Sequence, residues 1–183
     1  MIDFAEKQFI NKADGNILKR LKVYRQFMDE THPDSLDIGE SNYIGRALGI
    51  RDNTLECDFN IEIASPSKQY NMVTCFEVFE HVMNPLQFMV NIRDLMATGG
   101  VLYLSTPKQT WSTWYTWEHH FAEYKVPQLI ACFEYAGFKV EKYRVFDPFP
   151  LWFHFTGFRP FARAFAQRCV VFKVKKTLLG GTS

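Results

Sequence analysis

Strand and helix patterns alternate through the middle of this chain, and the alternation predicts an α/β fold: an abbreviated, doubly wound, mainly parallel sheet with an antiparallel C-terminal strand. Two apolar runs carry that expectation, Asn71 to Phe76 and Val101 to Ser105, each reading as a buried strand. The third observation is a late pair of strand patterns, Lys139 to Phe146 and Cys169 to Lys175, separated by an aromatic excursion.

The elements follow in order. Leu18, Leu21, Tyr24 or Arg25, and Met28 recur at helical spacing, with Asp14 and Asn16 as starts after a break at Gly15. His32-Pro33-Asp34 ends that segment, because proline pushes the residue before it out of the helical region. Ser35 to Ile38 reads as a short strand, followed by a glycine turn and a short helix from Tyr43 to Leu48. A weaker strand, Thr54 to Asp58, and a loop over Ala64 to Gln69 come next. Asn84-Pro85 starts a helix, asparagine as N-cap and proline at the first helical position. Leu86, Met89, Ile92 or Arg93, and Met96 continue it, and Gly99-Gly100 is expected to close it. Val126 to Ala136 forms the next helix, capped by Gly137.

The whole length, 183 residues, suits a single domain, with residues 1–32 as a helical N-terminal segment and 147–167 as an aromatic, lid-like insertion. Hydrophobic content of 47% and charged content of 22% are ordinary for a globular protein. Cys57, Cys75, Cys132 and Cys169 form no C-x-x-C pair and read as reduced thiols, which places the chain in the cytoplasm. The first residues have neither a basic nor an apolar leader region, so no signal peptide is expected. Net charge is +1 but uneven. Residues 1–138 hold 12 Lys and Arg against 18 Asp and Glu; residues 139–183 hold 9 against 2. The C-terminal part is therefore expected either to face something anionic or to be a basic surface strand.

The motifs sit at strand ends, where open α/β sheets bind ligands. Leu36-Asp37-Ile38-Gly39-Glu40-Ser41-Asn42-Tyr43 sets an acid before a glycine turn, whose missing side chain lets backbone approach a ligand. Tyr70 to Pro85 contains Cys75-Phe76-Glu77 and then Glu80-His81-Val82 ahead of the capped helix. Val101 to Pro107 follows Gly99-Gly100, and His119-His120-Phe121 precedes the helix that ends at Gly137. From Ser35 to Val145 this order resembles the class I S-adenosylmethionine-dependent methyltransferases, which are Rossmann-like, and in particular the ubiquinone-biosynthesis O-methyltransferase type. The chain departs from that pattern twice. Ser41 and Tyr43 stand where the family's turn has its second and third glycines. Only 32 residues separate Gly39 from Met72, so the second βα unit is shortened.

The resemblance implies S-adenosylmethionine as cofactor, contacting Asp37, Gly39 and Glu40, with Asn42 donating a hydrogen bond in place of a glycine amide. It puts Phe76 against the adenine or methionyl portion, and Glu56 or Asp58 on the ribose or adenine, Asp58 being preferred because it ends the weak strand. Glu80, His81, His119 and His120 are the candidate catalytic residues. Glu77, Glu80 and His81 lie at i, i+3 and i+4, and with His119, or second His120, they resemble the divalent-metal site of small-RNA 2′-O-methyltransferases. The alternative, that Glu-His-Val caps the turn and lines the acceptor pocket, is favoured over a metal.

The aromatic segment with Arg159 and Arg163 suits a lid over an apolar acceptor or contact with a membrane surface; the alternative is that its rings pack the space left by the short second unit. A net charge near zero argues against extensive nucleic-acid contact. The function expected is methyl transfer to a small-molecule, glycan or lipid acceptor. Two other readings stand beside it: a degenerate, inactive binding protein of the same fold, and an RNA-modifying methyltransferase.

Overall fold

Strands β1 (Ser35–Ile38), β2 (Thr54–Leu55), β3 (Tyr70–Phe76), β4 (Met96–Lys108), β5 (Phe138–Phe146) and β6 (Arg168–Lys176) form one sheet in the order β2-β1-β3-β4-β6-β5 in this computed structural model. The structure describes residues 15–39, 43–50, 54–55, 58–61, 68–109, 120–147 and 168–177. The first four strands of the order pair in parallel, while β6 lies antiparallel between β4 and β5. The expected mainly parallel sheet with an antiparallel last strand is thus present, and the two late strands pair directly with each other.

Alternation along the strands sorts the core onto two faces, since neighbouring side chains in a strand point opposite ways. Val73, Cys75, Leu102 and Leu104 pack with helices α3 (Pro85–Leu95) and α4 (Val126–Tyr135), through Phe88, Met89, Ile92, Leu129 and Phe133. Met72, Phe76, Val101 and Tyr103 pack instead against helix α1 (Gly15–Phe27), through Val23, Tyr24 and Phe27. The fourth helix, α2 (Tyr43–Ala47), follows β1 and precedes β2. Of the α1 positions named from sequence, Leu21 and Tyr24 are buried, whereas Leu18 is exposed. Val23 and Phe27 take over the buried stripe.

Two local expectations need correction. The helix over 85–95 ends without glycine: the chain becomes extended at Met96, and β4 begins there. Gly99 and Gly100 sit inside β4, where Gly99 has φ 75° and the pairing with β3 shifts register between Tyr70 and Met72. A Cβ on Gly100 would lie 2.9 Å from the Ala97 carbonyl and 3.1 Å from that of Tyr70, so the glycine permits this close passage. Of the weak strand, Thr54–Leu55 is strand, and Asp58, its expected end, is not.

The abbreviated second unit is sealed by a turn. Phe59 is buried edge-on to the Phe88 ring. Asn91 of α3 donates to the Phe59 and Ile61 carbonyls, and the Asn60 side-chain oxygen accepts from the Met83 and Asn84 amides. Asn84 caps α3 as expected, accepting from the Gln87 amide at 3.2 Å.

The basic C-terminal strands find acids within the chain itself. Asp29 and Glu30, just past α1, meet Lys142, Lys173 and Lys175 together with Glu141. Tyr103 donates its hydroxyl to Asp29 at 2.8 Å and accepts from the Glu30 amide at 3.1 Å. The Lys173 side chain is only 5% exposed. Burial opposes its charge, but Glu30, Asp29 and Glu141 outweigh burial and hold its pKa above the ordinary lysine value.

Candidate functional site

At the carboxyl ends of β1, β3 and β4 three acids gather, each accepting from a hydroxyl on a strand. Asp37, in β1 and 3% exposed, accepts from Thr74 of β3 at 2.6 Å. Glu77, directly after β3, accepts from Ser105 of β4 at 2.7 Å. Glu80, in the 3-10 turn Phe79–His81 and 2% exposed, accepts from Thr106 of β4 at 3.0 Å. A buried carboxylate needs donors, and a strand hydroxyl provides one without neutralising the charge.

The turn after β1 is as tight as its glycine implies. Gly39 has φ 107°, and a Cβ there would lie 3.2 Å from the Val78 methyl, so a side chain would be both strained and crowded. This brings the turn after β1 against the turn after β3, at the switch in strand order. Glu77 also has a left-handed backbone, φ 59°, rare for a residue with a Cβ and characteristic of functional turns.

Glu77 turns toward α1. Arg20 pairs with it at 2.8 Å, and the Tyr24 hydroxyl lies 3.3 Å from it and 2.7 Å from Ser105. Burial opposes the Arg20 charge, and Glu77 overcomes this to raise its pKa further. Arg20 Nε is buried and has no hydrogen-bond partner among the described residues. Glu80 lies in other company: its carboxyl is pushed up to about 8, first by burial and then by repulsion from Glu77. Its carboxylate, His81 and His120 offer ligand atoms within 4.8 Å of one another. The His81 and His120 rings meet edge-on at 5.1 Å, and His120 Nδ1 lies 3.1 Å from Glu123.

This separates the residues read from sequence. Among the described residues Glu80, His81 and His120 come together; His119, the first choice, lies outside them. Glu77 does not join them, because Arg20, Ser105 and Tyr24 hold it on the α1 side. Phe76 is buried, one face of its ring stacked on Tyr24 at 4.4 Å. Asp58 does not end β2. It lies three residues beyond Leu55, exposed, accepting from the Asn60 amide and side chain at 3.0 Å. Glu40, Asn42, His119, Ser41 and the aromatic segment 148–167 lie outside the described residues. Sequence reasoning missed Arg20, Thr74, Ser105, Thr106 and Glu123. Thr74, Ser105 and Thr106 do carry a signal: they are polar residues inside otherwise apolar strand runs.

A mainly parallel sheet with an antiparallel strand set in next to its last parallel member, and an acid–glycine turn at the switch point, defines the class I S-adenosylmethionine-dependent methyltransferase fold. The chain belongs to the methyltransferase domain family, whose model matches residues 13–143. Among curated relatives, the ubiquinone biosynthesis O-methyltransferase of Histophilus somni is 30% identical over 70 residues, 38% of this chain and 29% of that protein. The protein of the same name from Rickettsia bellii is 27% identical over 111 residues, 59% of this chain and 45% of its own length. The chain thus spans less than half the length of these relatives. Among solved structures, a proposed methyltransferase from Bacillus halodurans superposes with TM-score 0.66 at 14% identity, over 86% of this chain and 99% of that one. An S-adenosylmethionine-dependent methyltransferase from Mesorhizobium loti gives 0.58 at 12% identity, over 86% and 97%. Among the described residues no helix is long and apolar enough to cross a membrane.

Proposed function

We propose that the chain binds S-adenosylmethionine at the β1–β3 switch point and transfers its methyl group to a hydroxyl oxygen of a small-molecule acceptor. The observation that carries this is the Asp37–Gly39 turn packed against Val78, with a buried acid and no room for a side chain. Methyl transfer from a sulfonium needs alignment and exclusion of water above all. The O-methyltransferase names of the relatives support a hydroxyl acceptor.

Glu80, His81 and His120 fit a divalent cation: a carboxylate, two imidazoles and Glu123 orienting one of them. Such an ion would orient and acidify an acceptor hydroxyl. The second reading, a binding protein without turnover, is favoured by Ser41 and Tyr43 in the turn.

Calorimetric titration with S-adenosylhomocysteine and S-adenosylmethionine tests the main reading. Binding to wild type, lost in Asp37→Ala with the fold intact, is the expected result. Absence of heat and of a thermal shift at millimolar ligand would sink it. Binding without methyl transfer to any of a panel of phenols, catechols and sugars favours the second reading.

A further inference from the structure

We propose that Thr74 is a positioning residue for the cofactor: its hydroxyl fixes the orientation of the Asp37 carboxylate, so that affinity for the methyl donor depends on a residue placed one strand away. The inference rests on the reading of Asp37 as a cofactor contact.

Three observations converge. Asp37 and Thr74 are direct register partners on the adjacent parallel strands β1 and β3, so the pairing of the sheet itself sets their side chains next to each other. The bond between them is 2.6 Å, in the range of a hydroxyl donating to a charged oxygen, and both residues are buried, Thr74 completely. Thr74 also stands alone as a hydroxyl in the run Met72, Val73, Cys75, Phe76, which the core has otherwise filled with apolar groups. A buried hydroxyl among such neighbours costs free energy unless its partner makes use of it.

The geometry also says why orientation matters here. Asp37 lies two residues before Gly39, whose backbone is held against Val78. The carboxylate is therefore attached to a paired strand, two residues before a glycine packed against Val78. The Thr74 hydroxyl restrains rotation about the Asp37 side-chain bonds. An acid held in advance does not have to be ordered when ligand arrives. Threonine suits the task doubly, because its branched Cβ restricts χ1 and so fixes the donor as well.

The test uses the full chain, with S-adenosylhomocysteine as the probe in calorimetry. Thr74→Val keeps the shape and removes the donor; Thr74→Ser restores the donor. Val73→Ala, the next residue in the same strand and fully buried, serves as a purely structural lesion. The expected result is a Kd raised about ten-fold in Thr74→Val, a difference of about 1.4 kcal/mol. Thr74→Ser should stay within about three-fold of wild type. Val73→Ala should lower the melting temperature as much as Thr74→Val, or more, without moving the Kd. A Thr74→Val protein that binds like wild type overturns the proposal, as does equal weakening in Val73→Ala, which would make the effect one of general stability. Should Thr74→Val fail to fold, Thr74→Ala, which also lacks the donor, takes its place, and unchanged affinity there is equally fatal. Failure of wild type to bind the probe at all would instead strike the underlying functional reading.

Discussion

Two groups of carboxylates in this molecule are satisfied in opposite ways. Behind α1, Asp29, Glu30 and Glu141 meet lysines, and one of those lysines is buried almost entirely. At the strand ends, Asp37, Glu77 and Glu80 meet hydroxyls of Thr74, Ser105 and Thr106, with Arg20 the cation paired to Glu77 among the described residues. A lysine cancels charge; a hydroxyl only solvates it. The first group holds α1 to the sheet and leaves little field over. In the second, Arg20 pairs with Glu77, burial keeps Glu80 protonated up to about pH 8, and the Thr74 hydroxyl orients Asp37. The same side-chain chemistry thus builds a clamp in one place and a binding site in the other.

The largest expected effect lies in the clamp. Lys173→Ala leaves Asp29, Glu30 and Glu141 facing one another with their central cation gone. Breaking a buried pair typically costs 3–5 kcal/mol, but these acids are partly exposed and water screens them, so about 2 kcal/mol is expected here. Denaturant unfolding measures it, and S-adenosylhomocysteine affinity should change by less than about two-fold. A loss below about 0.5 kcal/mol would mean that the ion pairs are decoration and the comparison is empty.

The two groups should also respond to pH with opposite sign. Lys142 and then Lys173 hold Asp29 well below the usual carboxylate range, and Lys173 lowers Glu30. Groups with depressed pKa contribute stability that is present above about pH 4 and is lost as pH falls further. Glu80 is raised instead, to about 8 from 4.5, by burial and by Glu77. The folded state then holds a proton that the unfolded chain releases, so its contribution favours the fold at low pH and is lost as pH rises from about 4.5 to about 8. Melting curves in the presence of a chelator should show both limbs. Lys173→Ala should flatten the acid limb, and Glu80→Gln the upper one. If Glu80→Gln leaves the upper limb unchanged, Glu80 is not the group that titrates there.

Much of this was readable in the residues, and the exceptions have physical causes. The parallel strands, the α3 cap and the late strand pair follow from local patterns, and the switch point follows from strand order. The clamp was visible only as an excess of basic residues after position 138, since the charge count carries no information about which acids fold back onto it. Glu77, Glu80 and His81 do not take the helical spacing that would put them on one face. The chain instead takes a left-handed step at Glu77 and a single 3-10 turn, which sends the two glutamates to different neighbours. Asp58 is not a strand end, because it accepts from the Asn60 amide in the turn over 58–61. The strand hydroxyls were the readable clue left unread, because burial of a single Thr or Ser is unremarkable until its partner is known.

The smallest expected effect is also the one that separates the two groups most directly. Thr106→Val removes the donor to Glu80 while keeping the shape of a side chain that is 1% exposed. Below about pH 6 Glu80 is protonated, and the loss should be that of one ordinary buried hydrogen bond, about 1 kcal/mol. Above about pH 8 the carboxylate is charged, the bond to it is stronger, and the cost should grow to about 1.5 kcal/mol. The same change shifts the upper limb of the stability curve to higher pH, because the hydroxyl favours the charged form and its absence raises Glu80 further. No such pH dependence should accompany Val73→Ala, which touches only packing. A Thr106→Val penalty that is flat from pH 5 to pH 9 would show that the hydroxyl does not solvate a titrating acid, and the contrast between clamp and site would then rest on Asp37 and Glu77 alone.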